Sequence, residues 1–377
     1  MRVIRALAAV ALTLGVLEAA AMAYPQFRFS TGNDRCSACH LAPEGGGLLN
    51  DYGRSEVGDT ISWGGDGGLL HGAWTPPPWL ALGGDVRVAG VGRLREGDEP
   101  TLAAFPMQAD LYADLRRGPL SVSITGGLNG AARSRPDGAG PAAYLTSRRH
   151  VLTYQAHEGA PYVRVGRFFP VLGLRSADHS ALARRALDMY ILEEPYALGA
   201  GASGDGWELH GSVFAPSPWP ETQAGARATG ATVFYERTVG EGAAVAGQAR
   251  YAQGELDRRV LVGTVATWWL DGPGLLLQAE LDGQGQRIAD ADLTRWQLLG
   301  AAQLTRVMLP GLMIGVGGQV WTPDLRLRGV SRSTAELDVQ VFPWAHVELH
   351  LLARIAGVGG RGDEPDLLGL VQVHYYP

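Results

Sequence analysis

Thr334-Ala335-Glu336-Leu337-Asp338-Val339-Gln340-Val341 sets a small or apolar side chain at every second position and a polar one between. Successive side chains of an extended chain point to opposite faces, so this stretch builds a strand with one apolar and one polar face. The pattern recurs outward in both directions. Val347, Leu349 and Leu351 alternate with His346, Glu348 and His350, and Leu120, Val122 and Ile124 with Ser121, Ser123 and Thr125. Ala109, Leu111, Ala113 and Leu115 are interleaved with Gln108, Asp110, Tyr112, Asp114 and Arg116. From residue 80 onward the chain reads as short alternating strands with almost no helical periodicity.

The connections alternate as well. Short turns fall at Arg117-Gly118, Glu158-Gly159, Ser203 to Gly206, Thr238 to Glu241, Asp271 to Pro273, Met308 to Pro310 and Phe342 to Trp344. Between them lie mostly longer polar loops at 94–104, 132–147, 169–195, 215–226, 283–292, 322–330 and 355–366. A soluble sandwich also alternates, but tight turns on one rim and long loops on the other belong to an antiparallel transmembrane β-barrel. The expected fold is all-β, with about sixteen strands over 80–377, an even number as in single-chain bacterial barrels. A polar lumen and a lipid-facing exterior account for a mean hydropathy of -0.01. No apolar run after residue 23 is long enough for a spanning helix. Tyr162, Tyr251, Trp268, Trp296, Trp321 and Tyr375 stand near strand ends, where an aromatic girdle lies. The last strand ends Val373-His374-Tyr375-Tyr376-Pro377, similar to an outer-membrane sorting signal except that Pro377 follows the aromatics.

Residues 1–23 read as a signal peptide. Arg2 and Arg5 are a positive start, Ala6 to Val16 an apolar run, and Ala21-Met22-Ala23 a small-residue cleavage site, so the mature chain begins at Tyr24. Export leads to a compartment where thiols pair, yet the chain has 2 cysteines. A disulfide framework needs more, and a zinc site needs further ligands at compatible spacing. Cys36-Ser37-Ala38-Cys39-His40 matches the C-x-x-C-H pattern of c-type haem attachment, in which two thiols bond the macrocycle and the adjacent His ligates iron. A thioredoxin-like dithiol shares C-x-x-C but belongs at a βα junction, and here the surroundings are Gly, Asn, Asp and Pro.

A glycine-rich turn comes next at Gly45-Gly46-Gly47, where backbone lying close to a flat ligand explains the absence of side chains. Tyr52 and Arg54 are candidate donors to haem propionates, against the alternative of an ordinary loop. Residues 24–79 form a small, mostly irregular or helical segment too short and too glycine-rich to bury a core alone. Haem or the partner domain must supply the missing apolar contact. Thr75-Pro76-Pro77-Pro78-Trp79 is a stiff extended spacer and sets the domain boundary. For the second axial ligand His71 is the first candidate, because it shares the segment; Met107, His346, His350 and His374 come after it. Around Phe168-Phe169-Pro170, Arg164, Arg167, Arg175, Asp178, His179, Arg184 and Arg185 suggest an inward-folded constriction loop, with solvated loop charges as the alternative. The basic character of this loop weighs against an entrance that collects cations.

With signal peptide, Cys36, Cys39, His40, a short cytochrome segment and a C-terminal barrel, the chain resembles the fused monohaem cytochrome–porin family. The resemblance implies one covalent haem c and single-electron transfer between an extracellular donor, ferrous iron being the family's known one, and a periplasmic carrier. It implies outer-membrane lipid as the surrounding partner, and electron transfer in place of substrate conversion. The alternative is a passive porin-like channel whose haem segment is structural, sensory or one-sided. A haem enzyme needs a distal acid–base pair, and none is identifiable. A net charge of -6 without a basic stripe excludes nucleic acid as a partner. The 32 basic residues are all Arg, a trait of genome composition and not of function.

Overall fold

A computed structural model of the chain describes residues 27–95, 97–129, 145–175, 181–187, 194–216, 228–291, 293–357 and 366–377. The signal peptide expected at 1–23, Asp178 and His179 of the expected constriction loop, and most of the loops expected at 132–147, 215–226 and 355–366 lie outside the described residues.

Sixteen strands succeed one another: β1 (Leu80–Arg95), β2 (Thr101–Arg117), β3 (Leu120–Asn129), β4 (Leu145–Gln155), β5 (Tyr162–Arg167), β6 (Tyr196–Gly204), β7 (Trp207–Ala215) and β8 (Thr229–Val239). The second half comprises β9 (Ala243–Gln253), β10 (Asp257–Leu270), β11 (Leu275–Ile288), β12 (Leu293–Leu309), β13 (Leu312–Thr322), β14 (Arg332–Trp344), β15 (Val347–Ala356) and β16 (Asp366–Tyr375). Each pairs antiparallel with its sequence neighbours, and β1 pairs with β16 from Val86↔Tyr375 to Arg95↔Asp366, closing the barrel. The expected all-β barrel is therefore the observed architecture.

Alternation works as expected. Along β11 Glu280, Asp282 and Gln284 point into the lumen, while Leu281 between them is 51% exposed on the outside. Val260, Val262, Val316, Val320, Leu337, Leu351, Val371 and Val373 are likewise exposed outward. An exterior this apolar is stable in hydrocarbon and not in water. Tyr251, Trp268 and Trp296 are outward and exposed. Tyr162 and Trp321 depart from the expected girdle: the Tyr162 hydroxyl meets His210 Nδ1 at 2.8 Å, and Trp321 packs on the interior cluster around Leu299, so both turn inward.

Left-handed glycines close most of the tight turns (Gly118, Gly159, Gly206, Gly240, Gly274 and Gly311), a conformation that costs glycine nothing. The turn between β14 and β15 falls at Ala345-His346, just past the expected Phe342 to Trp344, and there His346 itself takes φ 67°. Two further connections differ from expectation. β11 runs on to Ile288, so the loop expected from 283 shortens to 289–292, and β9 joins β10 through a tight connection at 254–256 on the long-loop rim.

The lumen is filled. Residues 27–79 form a plug of one-turn helices and loops: α1 (Phe27–Ser30), a 3₁₀ turn at Cys36–Ala38, α2 (Asp51–Glu56) and a wider helical turn at Val57–Ile61. The plug rests on the turn rim, where Trp63 N donates to Phe342 O at 3.0 Å and Ala345 N to Gly64 O at 3.0 Å. From the other rim the β5–β6 loop folds inward as its composition suggested. Its Phe169, Leu172, Ala183 and Leu187 pack against Leu261 and Leu299 on the inner wall. Within it α3 (Leu182–Arg185) brings Ala183 N to Gln319 Oε1 at 3.4 Å.

Val316→Arg, on the exterior near the middle of β13, is expected to cost about 2–4 kcal/mol of folding free energy in lipid vesicles. Urea titration monitored by gel-shift of the folded barrel measures it; an unchanged midpoint contradicts a lipid-facing exterior.

Candidate functional site

The C-x-x-C-H motif sits inside the barrel on the plug. Its tight turn is fixed by backbone: Cys39 N and His40 N both donate to Cys36 O, at 3.2 and 3.0 Å. His40 then pairs with Leu49, and Leu41 N donates to Leu48 O at 3.1 Å, so the chain doubles back through Gly45, Gly46 and Gly47, all of positive φ. Only glycine runs through three consecutive residues of that kind without strain. Asn50 joins the two halves. Its Oδ1 accepts Gly53 N at 2.8 Å and caps α2, while its Nδ2 donates to Ala38 O at 2.8 Å. Asn50 was not singled out from the sequence; an Asn before Asp51 is the cap signal that identifies it. Gly53 faces the motif so closely that a Cβ there collides with the Cys39 carbonyl.

Cys36, Cys39 and His40 open onto one cavity, with Gly46, Gly47, Gly53, Phe27, Leu49, Val57, Ile61, Arg28 and Arg35 completing the plug side. The barrel supplies the opposite side through Asp85, Arg87, Tyr112, Phe342, His374 and Tyr376. The open volume is about 90 Å³. The cysteines are free, Cys36 buried and Cys39 partly so. Burial pushes the Cys36 thiol up, and burial with Glu56 and Cys36 nearby raises Cys39 to about 11. Burial brings the His40 imidazole down to about 4, against weaker opposing pulls from the Gly46 backbone and Glu44. His40 is therefore neutral near pH 7, the form that binds metal, and its Nδ1 is sealed from solvent without a hydrogen-bond partner. Two thiols, a neutral imidazole and a glycine cradle are the donor types that haem c attachment uses, on a cavity whose walls are part apolar and part charged.

The other candidates divide. His374 stands on the cavity, its Nδ1 2.8 Å from Glu348 Oε2 and its Nε2 3.0 Å from Asp85 Oδ1. His71, first candidate from the sequence, does not line it. It is exposed at the turn rim with φ 58° and stacks edge-on against His346, ring centroids 5.1 Å apart. His346 is spent as a clamp, Nε2 3.0 Å from Gly68 O and Nδ1 2.9 Å from Tyr376 O. His350 pairs with Asp338, and Met107 packs with Ala89 on the wall. The proposed propionate donors are engaged elsewhere: Arg54 Nη2 donates to Leu82 O at 2.5 Å, and the Tyr52 hydroxyl to Thr31 O at 3.2 Å.

Charge locks the plug to the wall. Glu44, from the motif's own loop, receives Arg149 Nη1 at 2.9 Å and Arg164 Nη1 at 2.5 Å, and the Arg164 guanidinium lies 3.8 Å from the Phe168 ring centre. Arg28 pairs with Glu236. Arg175, from the inward loop, spans Glu208 at 2.7 Å, Glu236 at 3.6 Å and Pro43 O at 3.3 Å. Burial alone raises Glu44, but Arg164 and Arg149 outweigh it and hold its carboxyl below the ordinary range. A carboxyl depressed in the folded state stabilises it above its unfolded value near pH 4.3, and that contribution is lost as pH falls through the folded value.

Hydrogen exchange over residues 27–79 is thus expected to stay slow at pH 7 and to accelerate below about pH 4. At pH 7 Glu44→Gln, which strands two buried guanidinium groups, costs the plug about 3–5 kcal/mol. Unchanged exchange in E44Q removes Glu44 from the lock. Gly53→Ala is expected to separate α2 from the motif, read as faster exchange at residues 36–56 with the barrel amides unaffected.

No family model matches this sequence, and no curated protein matches it. Solved structures do resemble its fold. Pseudomonas putida OprB superposes with TM-score 0.61 at 12% identity, over 79% of this chain and 94% of that one. OmpT, expressed in the outer membrane of Vibrio cholerae, gives 0.59 at 10% identity, over 80% and 99%. An anion-selective porin from Comamonas acidovorans gives 0.56 at 10% identity, over 79% and 99%. The chain has the barrel fold of outer-membrane porins.

Proposed function

We propose that this chain is an outer-membrane c-type cytochrome built on a porin-like barrel. Cys36 and Cys39 carry one haem c, His40 is an axial ligand, and single electrons pass between an extracellular donor and a periplasmic carrier. The observation that carries this reading is the position of the motif: both cysteines and His40 line one cavity inside the lumen, closed on its far side by the barrel. A haem bound there supplies one-electron exchange between ferrous and ferric iron.

The chain's own residues supply the setting. The plug holds the motif inside the barrel towards the turn rim, where Arg35 donates to Gly204 O at 3.0 Å, and irregular backbone is tolerated there because the barrel shields it from lipid. The neutral His40 offers a lone pair without first losing a proton. Phe27, Leu49, Val57, Ile61 and Phe342 give the cavity an apolar side, and Arg28, Arg35, Asp85 and Arg87 a charged one, both of which act on a bound metal's potential. Arg175 ties the inward loop to the plug at Pro43 O, and on this reading electrons and not solutes are the traffic.

The porin fold by itself favours the second reading, a passive porin-like channel whose haem segment is structural, sensory or one-sided. Sealed liposomes separate the two. Full-length protein matured with c-type haem is inserted, an impermeant reductant is added outside, and an acceptor is trapped inside. The expected result is reduction of the trapped acceptor, abolished in Cys36→Ser/Cys39→Ser, with no swelling in small-solute assays. Haem reduction without transfer to the acceptor, together with solute permeation, establishes the channel instead.

A further inference from the structure

Closing the barrel brings an imidazole from the far end of the chain to the cavity of the C-x-x-C-H motif. Glu348 on β15, His374 on β16 and Arg87 on β1 are successive cross-strand partners across the seam, and all three side chains are buried on the inner face. His374 is 2% exposed, its ring against that of Tyr376 with centroids 4.8 Å apart.

Side chains that take an axial position on haem iron are His, Cys, Met and Tyr. With both cysteines assigned to covalent attachment, the cavity lining offers His374, Tyr112 and Tyr376 besides His40. The Tyr112 hydroxyl already donates to Asp85 Oδ2 at 3.3 Å, and imidazole is the commonest metal ligand among side chains. His40 stands on the plug side of the cavity and His374 on the barrel side, and two axial ligands approach a flat macrocycle from opposite faces.

The surroundings of His374 are those of a metal ligand. Such a histidine donates its other ring N–H to a carboxylate, which fixes the tautomer and the ring orientation. His374 Nδ1 lies 2.8 Å from Oε2 of the buried Glu348. With that N–H on Glu348, the lone pair falls on Nε2, which is 3.0 Å from Asp85 Oδ1. Asp85 does not depend on this contact. Arg87 Nε donates to its Oδ1 at 2.9 Å, and Arg87 Nη2 and the Tyr112 hydroxyl both donate to its Oδ2 at 3.3 Å.

We infer that His374 is the second axial ligand of the haem carried by Cys36 and Cys39, positioned by Glu348, its Nε2 exchanging the Asp85 contact for iron. The inference rests on the reading of the chain as a c-type cytochrome and names the residue that completes the iron's coordination.

The test uses the full-length protein matured with c-type haem in detergent micelles, read by absorbance and electron paramagnetic resonance of the ferric state. Haem that survives denaturing electrophoresis in wild type, and is lost in Cys36→Ser/Cys39→Ser, establishes attachment first. Its absence from wild type refutes the cytochrome reading, and the ligand falls with it. Given attachment, wild type is expected to be low-spin with both axial positions filled. His374→Ala is expected to turn high-spin, and added imidazole to restore the low-spin spectrum. His374→Met keeps a ligand and is expected to stay low-spin with a raised reduction potential, as Met/His ligation raises it. Glu348→Gln is expected to lower the imidazole concentration that displaces His374 by about tenfold or more, the usual effect of removing a carboxylate behind a ligating histidine. His71→Ala, at the exposed rim, should keep the wild-type spectrum. A high-spin wild type with haem attached, a low-spin His374→Ala without imidazole, or an unchanged potential in His374→Met overturns the assignment. Where His374→Ala does not fold, the potential of His374→Met decides.

Discussion

Every backbone amide in hydrocarbon must find a partner within the protein, and the β1–β16 seam is where this chain meets that demand. Ten residue pairs along the seam join the first strand to the last and leave no open edge in the wall. Once the sheet is a cylinder, one face of every strand is committed to lipid and the other to a confined interior, and the period-two sequence separates the two. The interior can then be polar, and glutamate, aspartate and arginine gather there at a density that no soluble core tolerates unpaired.

The plug is the answer to that interior. A segment of 27–79 has little core of its own, and it is held by the wall's charges and by main-chain bonds at the turn rim. Glu44, Arg28 and Pro43 of the plug meet Arg164, Glu236 and Arg175, each partner distant in sequence. Seating the C-x-x-C-H turn therefore depends less on the segment's own stability than on the register of β4, β5, β7 and β8 around it.

The strands were legible in the sequence because alternation is a local property, and the turns because glycine marks a left-handed residue. The tight 254–256 connection was not, since Gly254-Glu255-Leu256 offers no more than one glycine between two alternating runs that read continuously. The spacing of Cys36, Cys39 and His40 marked them as one group, and the fold brings all three to one cavity. The surroundings of that group were not legible. His71 lies near the motif in sequence yet is exposed at the rim, while His374 reaches the cavity from the far end of the chain because β16 closes on β1. Tyr52 and Arg54 suggested propionate donors by residue type, but Arg54 is committed to the wall at Leu82. Residue type and spacing disclose what a motif can bind; topology decides which wall it faces.

The burial of Cys36 also bears on biogenesis. At 3% exposure inside a closed wall, its sulfur is beyond the reach of any modifying enzyme in the finished protein. For the haem proposed above, attachment at that thiol comes before the barrel shuts, and the strands then assemble around a finished cargo.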